Sequence, residues 1–233
     1  MEQRLEFESV GKRYGKRTAL QSVTLSIAPG RIVGLLGSNG SGKTTLMRIA
    51  AGLTRPDSGT VRAAGYEPGA QSKAAVSFMP DKPMFESWMT VGDALDFQRD
   101  FFADYDGDKA GRMLDFMKLS RKDKTSALSK GMQERLQLTL ALSRRASLYL
   151  LDEPLGGVDP VSRDHILDAL MEFYEEDSSI VVTTHLISDM ERIFDTLVML
   201  KDGSVALQGE VEQIRIDTGK SIDQLFKEVY AEC

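Results

Sequence analysis

One stretch narrows the possible folds more than any other: RIVGLLGSNGSGKTT, residues 31–45. Its first part, RIVGLLG (Arg31–Gly37), is a short continuous apolar run, which reads as a strand covered on both faces. Its second part, Gly37–Thr44, fits G-x-x-x-x-G-K-[ST], and a helix is expected from Lys43 to about Ala51. A strand that feeds a glycine-rich turn into a helix N-terminus is a phosphate cradle. Glycines let the backbone wrap closely enough for successive N–H groups to point inward. Lys43 is then placed to reach the β- and γ-phosphates, and the Thr44 hydroxyl to bind Mg²⁺.

The rest of the chain supplies an α/β setting for this loop. LEFESV (Leu5–Val10) and SVTLSI (Ser22–Ile27) alternate apolar and polar residues, as half-buried antiparallel strands do. TVRA and AAVSFM read as two more strands. From Thr90 to Ala146 the spacing turns helical: Val91, Ala94 and Leu95, then Met113, Leu114 and Met117, then a Leu136–Leu142 face. A helical subdomain, about residues 82–146, is therefore expected as an insertion in one single domain, 1–233. The acidic stretch DFFADYDGDKAG within it is a loop by composition. LYLLDE (Leu148–Glu153) and IVVTT (Ile180–Thr184) are further buried-strand runs, and Asp159-Pro160 is a helix start. Asp202-Gly203 marks a hairpin turn. Ser221 and Gln224 form a capping box for a helix carrying Ile222, Leu225, Phe226 and Val229.

A second anion site is suggested by SALSKGMQERL (Ser126–Leu136). Ser129 is a natural N-cap, yet Gly131 sits in the first turn, where glycine costs about 1 kcal/mol relative to alanine. Serine, lysine and glycine at a helix N-terminus together suit an anion. Other residues have two readings each. Asp152 and Glu153 either solvate a strand end or hold Mg²⁺ and polarise a water. His185 is either satisfied by a backbone carbonyl or senses a phosphate. Tyr14 either packs in a hairpin or stacks on a base. His165 reads as a helix-surface residue.

Charge and composition bear on partners. The formal charge is −6 and the pI about 5.1, the wrong sign for a protein whose main partner is nucleic acid. The only cysteine is Cys233, so no disulfide forms within the chain. The N-terminus has no apolar signal region and no run reaches eighteen apolar residues, so a cytoplasmic location is expected.

In their order along the chain these segments resemble the ATP-binding cassette family of transporter ATPases. Tyr14 matches the adenine-stacking aromatic, and Gly37, Ser38, Asn39, Gly40, Ser41, Gly42, Lys43, Thr44 and Thr45 match Walker A. FMPDKPMF (Phe78–Phe85) falls at the Q-loop, with Asp81 where glutamine is usual. LSKGMQ matches the signature motif through Ser129 and Gly131, with Lys130 replacing its first glycine. LYLLDE matches Walker B, LGGVDP (Leu155–Pro160) with Asp159 the D-loop, and His185 the switch histidine.

The resemblance implies a P-loop NTPase core with an antiparallel β subdomain and an inserted α-helical subdomain. It implies ATP and Mg²⁺ as cofactors, with Thr44, Asp81 and Asp152 on the metal and Glu153 and His185 in catalysis. It also implies a head-to-tail dimer with a second nucleotide-binding subunit, identical or not, in which Ser129, Lys130 and Gly131 meet the partner's nucleotide. A separate transmembrane permease would place the chain on the inner face of the cell membrane. The SKGM form resembles ATPases of ABC-2-type exporters. A soluble ATPase acting on DNA or ribosomes would need a long coiled coil before the signature or a second cassette. A regulator without turnover is disfavoured by Glu153 and His185, and a GTPase by the lack of N-K-x-D.

Overall fold

The computed structural model describes residues 3–83 and 85–231; Cys233, and Met84 of the FMPDKPMF segment, lie outside them. The chain opens with a long antiparallel pair, β1 (Leu5–Tyr14) and β2 (Arg17–Ile27). Both strands run beyond the alternating segments because their register shifts between Phe7 and Val10 and again toward Arg13, where simple alternation is lost. The continuous apolar run becomes β3 (Ile32–Leu36), buried at every residue, and it leads into α1 (Lys43–Ala50). β4 (Ser58–Ala63) then pairs with β1 to complete a three-stranded antiparallel sheet in the order β2-β1-β4.

A short helix, α2 (Ala70–Ala75), precedes β5 (Val76–Met79). The helical region follows as α3 (Val91–Phe101), α4 (Gly107–Met117) and α5 (Lys130–Leu142). Two expectations change here. Only residues 102–106 of the acidic stretch lie outside helices, because Asp106 caps α4 by accepting from the Lys109 N–H at 2.9 Å. Composition suggested a loop, but a helix whose first turn is acidic and whose Lys109 is buried against Glu175 at 2.7 Å is satisfied. Nor do Leu136, Leu138, Leu140 and Leu142 form one face. A spacing of two spreads them around the helix, and α5 is enclosed on all sides from Leu136 to Leu142.

The second sheet adds β6 (Leu148–Asp152), β7 (Ser179–Thr183), β8 (Thr196–Lys201) and β9 (Ser204–Glu210). Its order is β5-β6-β7-β3-β8-β9, parallel except for β9, which returns through Asp202 (φ 50°) and Gly203 (φ 78°). Between these strands lie α6 (Pro160–Phe173) and the short α7 (Ile187–Met190); α8 (Val211–Thr218) and α9 (Ile222–Tyr230) end the chain. The capping box forms, with Ser221 N–H on Gln224 Oε1 at 3.0 Å and Gln224 N–H on Ser221 Oγ at 3.2 Å. One apolar core joins α3, α4, α5 and α6 to one side of the sheet. A second joins the antiparallel sheet and α1 to the other side. The central strands β6, β7 and β3 are neighbours, so the loops leaving their carboxyl ends converge at one edge.

Candidate functional site

Each of those three strand ends delivers a functional segment. After β3, the turn into α1 requires Gly42. Its φ is 111°, and a Cβ there would lie 2.6 Å from the Ala19 carbonyl oxygen. Lys43 is 8% exposed, and its ammonium donates to the Gly37 carbonyl at 2.7 Å and the Ser38 carbonyl at 3.3 Å. Burial pushes the Lys43 ammonium below its usual range, while the negative charges of Glu153 and Asp152 pull it back up.

After β6 come the two acids. Asp152 is 1% exposed and accepts the Thr183 hydroxyl at 2.6 Å. Glu153 holds φ at 54°, a left-handed conformation that costs a side-chain-bearing residue of order 1 kcal/mol or more. Its backbone N–H donates to Thr183 Oγ1 at 2.9 Å, and its carbonyl accepts the Gly156 N–H at 2.9 Å. The strained backbone is thus held from both sides. After β7, His185 meets the acid: Nδ1 lies 2.8 Å from Glu153 Oε2 and the His185 backbone N–H donates to the same oxygen at 3.3 Å. With Glu153 ionised, the tautomer that fits is Nδ1–H donating.

These groups surround a cavity of about 740 Å³. Tyr14, Asn39, Gly40, Gly42, Lys43, Thr44 and Thr45 line it together with Asp81, Lys130, Glu153 and His185. Gly37, Ser38 and Ser41 belong to the loop but do not line it, and neither does Asp152, whose charge acts on Lys43. Ser129 and Gly131 do not line it either. Ser129 caps α5, accepting from the Met132 N–H at 3.3 Å. Asp159 is also outside, capping α6 through the Ser162 N–H at 3.1 Å. Lys130, expected to meet a partner's nucleotide, lines the cavity of its own chain, and its stem crosses the bare backbone of Gly157.

His165 is a correction. Its Nε2 lies 2.7 Å from the Phe116 carbonyl oxygen and its ring stacks on Phe116 at 4.8 Å, so it joins α6 to α4 rather than decorating a surface. Three contributors were not singled out from the sequence. Arg17 lines the cavity and donates to the Gly40 carbonyl at 3.2 Å, and Gly156 and Gly157 line it as well. Arg17 had a signal, a cation just past Tyr14 in the hairpin; the glycines stood in LGGVDP without a role.

Arg163 on α6 links the loops after β6 and β7 at a second point. Its Nε donates to the Val158 carbonyl at 2.9 Å and its Nη1 to Asp189 Oδ2 at 3.0 Å. Val158 belongs to the loop that follows Glu153, and Asp189 to the helix that follows His185. Arg163→Ala is expected to lower turnover roughly tenfold while ATP affinity holds, since reactive groups displaced by a fraction of an ångström lose their alignment. Arg163→Lys, which lacks the fork that reaches both partners, should recover only part of the loss. Equal losses in affinity and turnover would contradict a positioning role.

Comparison with known proteins agrees with this geometry. The ABC transporter family model matches residues 20–156. An uncharacterized ABC transporter ATP-binding protein of Bacillus subtilis (strain 168), YxlF, is 32% identical over 216 residues, covering 91% of this chain and 72% of that protein. Nod factor export ATP-binding protein I of Paraburkholderia xenovorans (strain LB400) is 33% identical over 218 residues, covering 88% and 70%. Among solved structures, the ATP-binding subunit of an ABC transporter superposes with a TM-score of 0.86 at 27% identity, covering 96% of this chain and 98% of that one. A dimeric ATP-binding cassette in a post-hydrolysis state with ADP and phosphate shares the fold, with a TM-score of 0.77 at 23% identity, covering 88% and 98%. With a phosphate loop, an acid and a histidine at adjacent ends of one sheet, the family match over more than half of the chain and relatives at 32% and 33% identity establish that the chain belongs to the ABC transporter family, as an ATP-binding, ATP-hydrolysing subunit.

Proposed function

We propose that the chain powers export through a separate membrane-spanning partner, by ATP-driven closure of a dimer, from the inner face of the cell membrane. The observation that carries the ATPase chemistry is the Glu153–His185 contact of 2.8 Å, in the same cavity as Lys43. Tyr14, 48% exposed at the cavity rim, stacks on the adenine, and the loop from Gly37 to Thr45 wraps the phosphates. Lys43 holds the β- and γ-phosphates. Glu153 takes a proton from the attacking water, and His185 steadies both that carboxylate and the γ-phosphate.

The donor set suits Mg²⁺. Among the described residues there is no cluster of three or more His, Cys, Asp or Glu side chains fit to hold a metal. Mg²⁺ characteristically keeps its waters and takes one or two protein ligands beside substrate phosphates. Thr44 would hold it directly, with Asp152 and Asp81 completing the set, and the ion would neutralise phosphate charge.

The second anion site supports a dimer. A Cβ on Gly131 would meet Ser162 Oγ at 3.4 Å and Val158 Cγ1 at 3.7 Å, ordinary contacts. Nothing in the chain's own packing demands this glycine, which is what an external phosphate at the backbone would explain. Ser129 and Gly131 therefore act on the nucleotide of a second copy or a close relative. The helical region, about residues 82–146 of a single domain, carries the permease contact. Trp88 and Phe101 there are 68% and 70% exposed, beside an apolar groove of about 570 Å³ lined by Phe78, Phe85 and Phe97. Among the described residues no helix is long and apolar enough to cross a membrane. The export direction draws on the likeness to the Nod factor export ATP-binding protein and on the SKGM form.

The dimer is tested by dilution. Turnover per chain is expected to rise with protein concentration as sites complete one another. Sedimentation would report assembly alongside, and constant turnover from a proven monomer would refute the reading.

A further inference from the structure

β7 is buried at all five of its residues, and two of them, Val181 and Val182, are what a covered central strand uses. Thr183 ends the strand at 0% exposure. For packing alone a valine would serve there, since it has the same branched shape. A hydroxyl in such a place costs free energy unless it is hydrogen-bonded. The Thr183 hydroxyl is bonded twice, and both partners belong to the acidic pair at the end of β6. It donates to Asp152 Oδ1 at 2.6 Å, and its oxygen accepts the Glu153 backbone N–H at 2.9 Å. The parallel register, which sets Thr183 beside Asp152, brings one hydroxyl to both acids.

Chemistry fixes the direction of this chain of bonds. A hydroxyl has one proton and an ionised carboxylate can only accept, so the proton goes to Asp152 and a lone pair is left for Glu153. Donation to a charged group is the stronger kind of hydrogen bond, and it makes the hydroxyl oxygen a better acceptor. The N–H it receives belongs to the residue whose φ is 54°, and that left-handed backbone sets where the Glu153 carboxylate points. Two residues beyond Thr183, His185 takes the other end of Glu153, with Nδ1 2.8 Å from Oε2. β7 and its exit therefore grip Glu153 both by the main chain and by the carboxylate. Thr183 does not itself line the cavity, so whatever it does for the nucleotide passes through the two acids. We infer that Thr183 is a positioning residue for ATP hydrolysis, whose single hydroxyl fixes the Asp152 carboxylate and the strained Glu153 backbone in a set orientation to each other.

This rests on the reading of Glu153 as the base, and Glu153→Gln is the control that separates the two. Turnover, ATP affinity and thermal unfolding are measured on the full chain for Thr183→Val, Thr183→Ser and Thr183→Ala. Thr183→Val keeps the shape and loses the oxygen. Its turnover is expected to fall roughly 10- to 100-fold while ATP affinity stays within ~3-fold, the mark of lost alignment rather than lost binding. Thr183→Ser keeps the hydroxyl and should recover most of that turnover. Thr183→Ser and Thr183→Ala differ by one oxygen, so their contrast reads the hydroxyl even where Thr183→Val folds poorly. Parent turnover in Thr183→Val, or turnover in Thr183→Ser no better than in Thr183→Ala, overturns the inference. Equal losses of affinity and turnover overturn it as well, and so does a turnover loss that simply tracks the fall in unfolding temperature across the three variants. If Glu153→Gln leaves turnover intact, the reading of the base fails; if it removes turnover while Thr183→Val does not lower it, only the positioning role fails.

Discussion

Glu153→Gln is expected to reduce ATP turnover at least ~10²-fold while nucleotide still binds, the scale at which a general base contributes. The substitution keeps shape and size and removes the charge. His185 Nδ1 then faces an amide, whose oxygen still accepts a hydrogen bond but whose basicity is gone. The left-handed backbone at residue 153 is held by Thr183 and Gly156 through main-chain groups, so the variant should fold and bind as the parent does. ATP bound but unhydrolysed should hold dimers closed, visible as a nucleotide-dependent increase in sedimenting mass. Activity within a few-fold of the parent would remove Glu153 from the role of base.

Lys43→Ala should act on a different step. Its ammonium is largely buried and held by two loop carbonyls, so alanine removes a preorganised cation from the phosphate cradle. It also leaves Asp152 and Glu153 without the positive charge between them and the substrate. ATP affinity is expected to fall roughly 10²-fold, the value of one or two charge-assisted hydrogen bonds. Isothermal titration distinguishes this from loss of catalysis, and an unchanged dissociation constant would count against the phosphate-loop assignment.

Much of this was legible because the phosphate loop, the buried runs and the caps are local signals. Arg31–Gly37, Leu148–Glu153 and Ile180–Thr184 read as covered strands since unbroken apolar runs have no other economical use, and the strands found there are Ile32–Leu36, Leu148–Asp152 and Ser179–Thr183. Ser129, Asp159 and Ser221 were recognisable as caps for the same reason, their donors lying three residues away. What escaped depends on tertiary placement. His165 needed the Phe116 carbonyl of another helix, and Arg163 needed two loops brought together by β6 and β7. The direction of Lys130 depended on a glycine far along the chain. Asp106 was hidden by composition, since the acids that suggest a loop also cap and charge a helix start.

The strand order β6-β7-β3 also bears on when the protein becomes functional during its synthesis. The phosphate loop is made early, yet β3 has β7 and β8 as its neighbours, and both come from the last third of the chain. Such long-range parallel pairing is slow to close, because loop entropy is lost before contacts repay it. A nascent chain that ends before residue 179 has the loop residues but neither flanking strand for β3 and no His185. Nucleotide capture is thereby a report on completed folding rather than on the presence of a motif. ATP at a hundred times its dissociation constant would add about 2.7 kcal/mol to the native state alone, drawing late-folding chains toward the finished sheet.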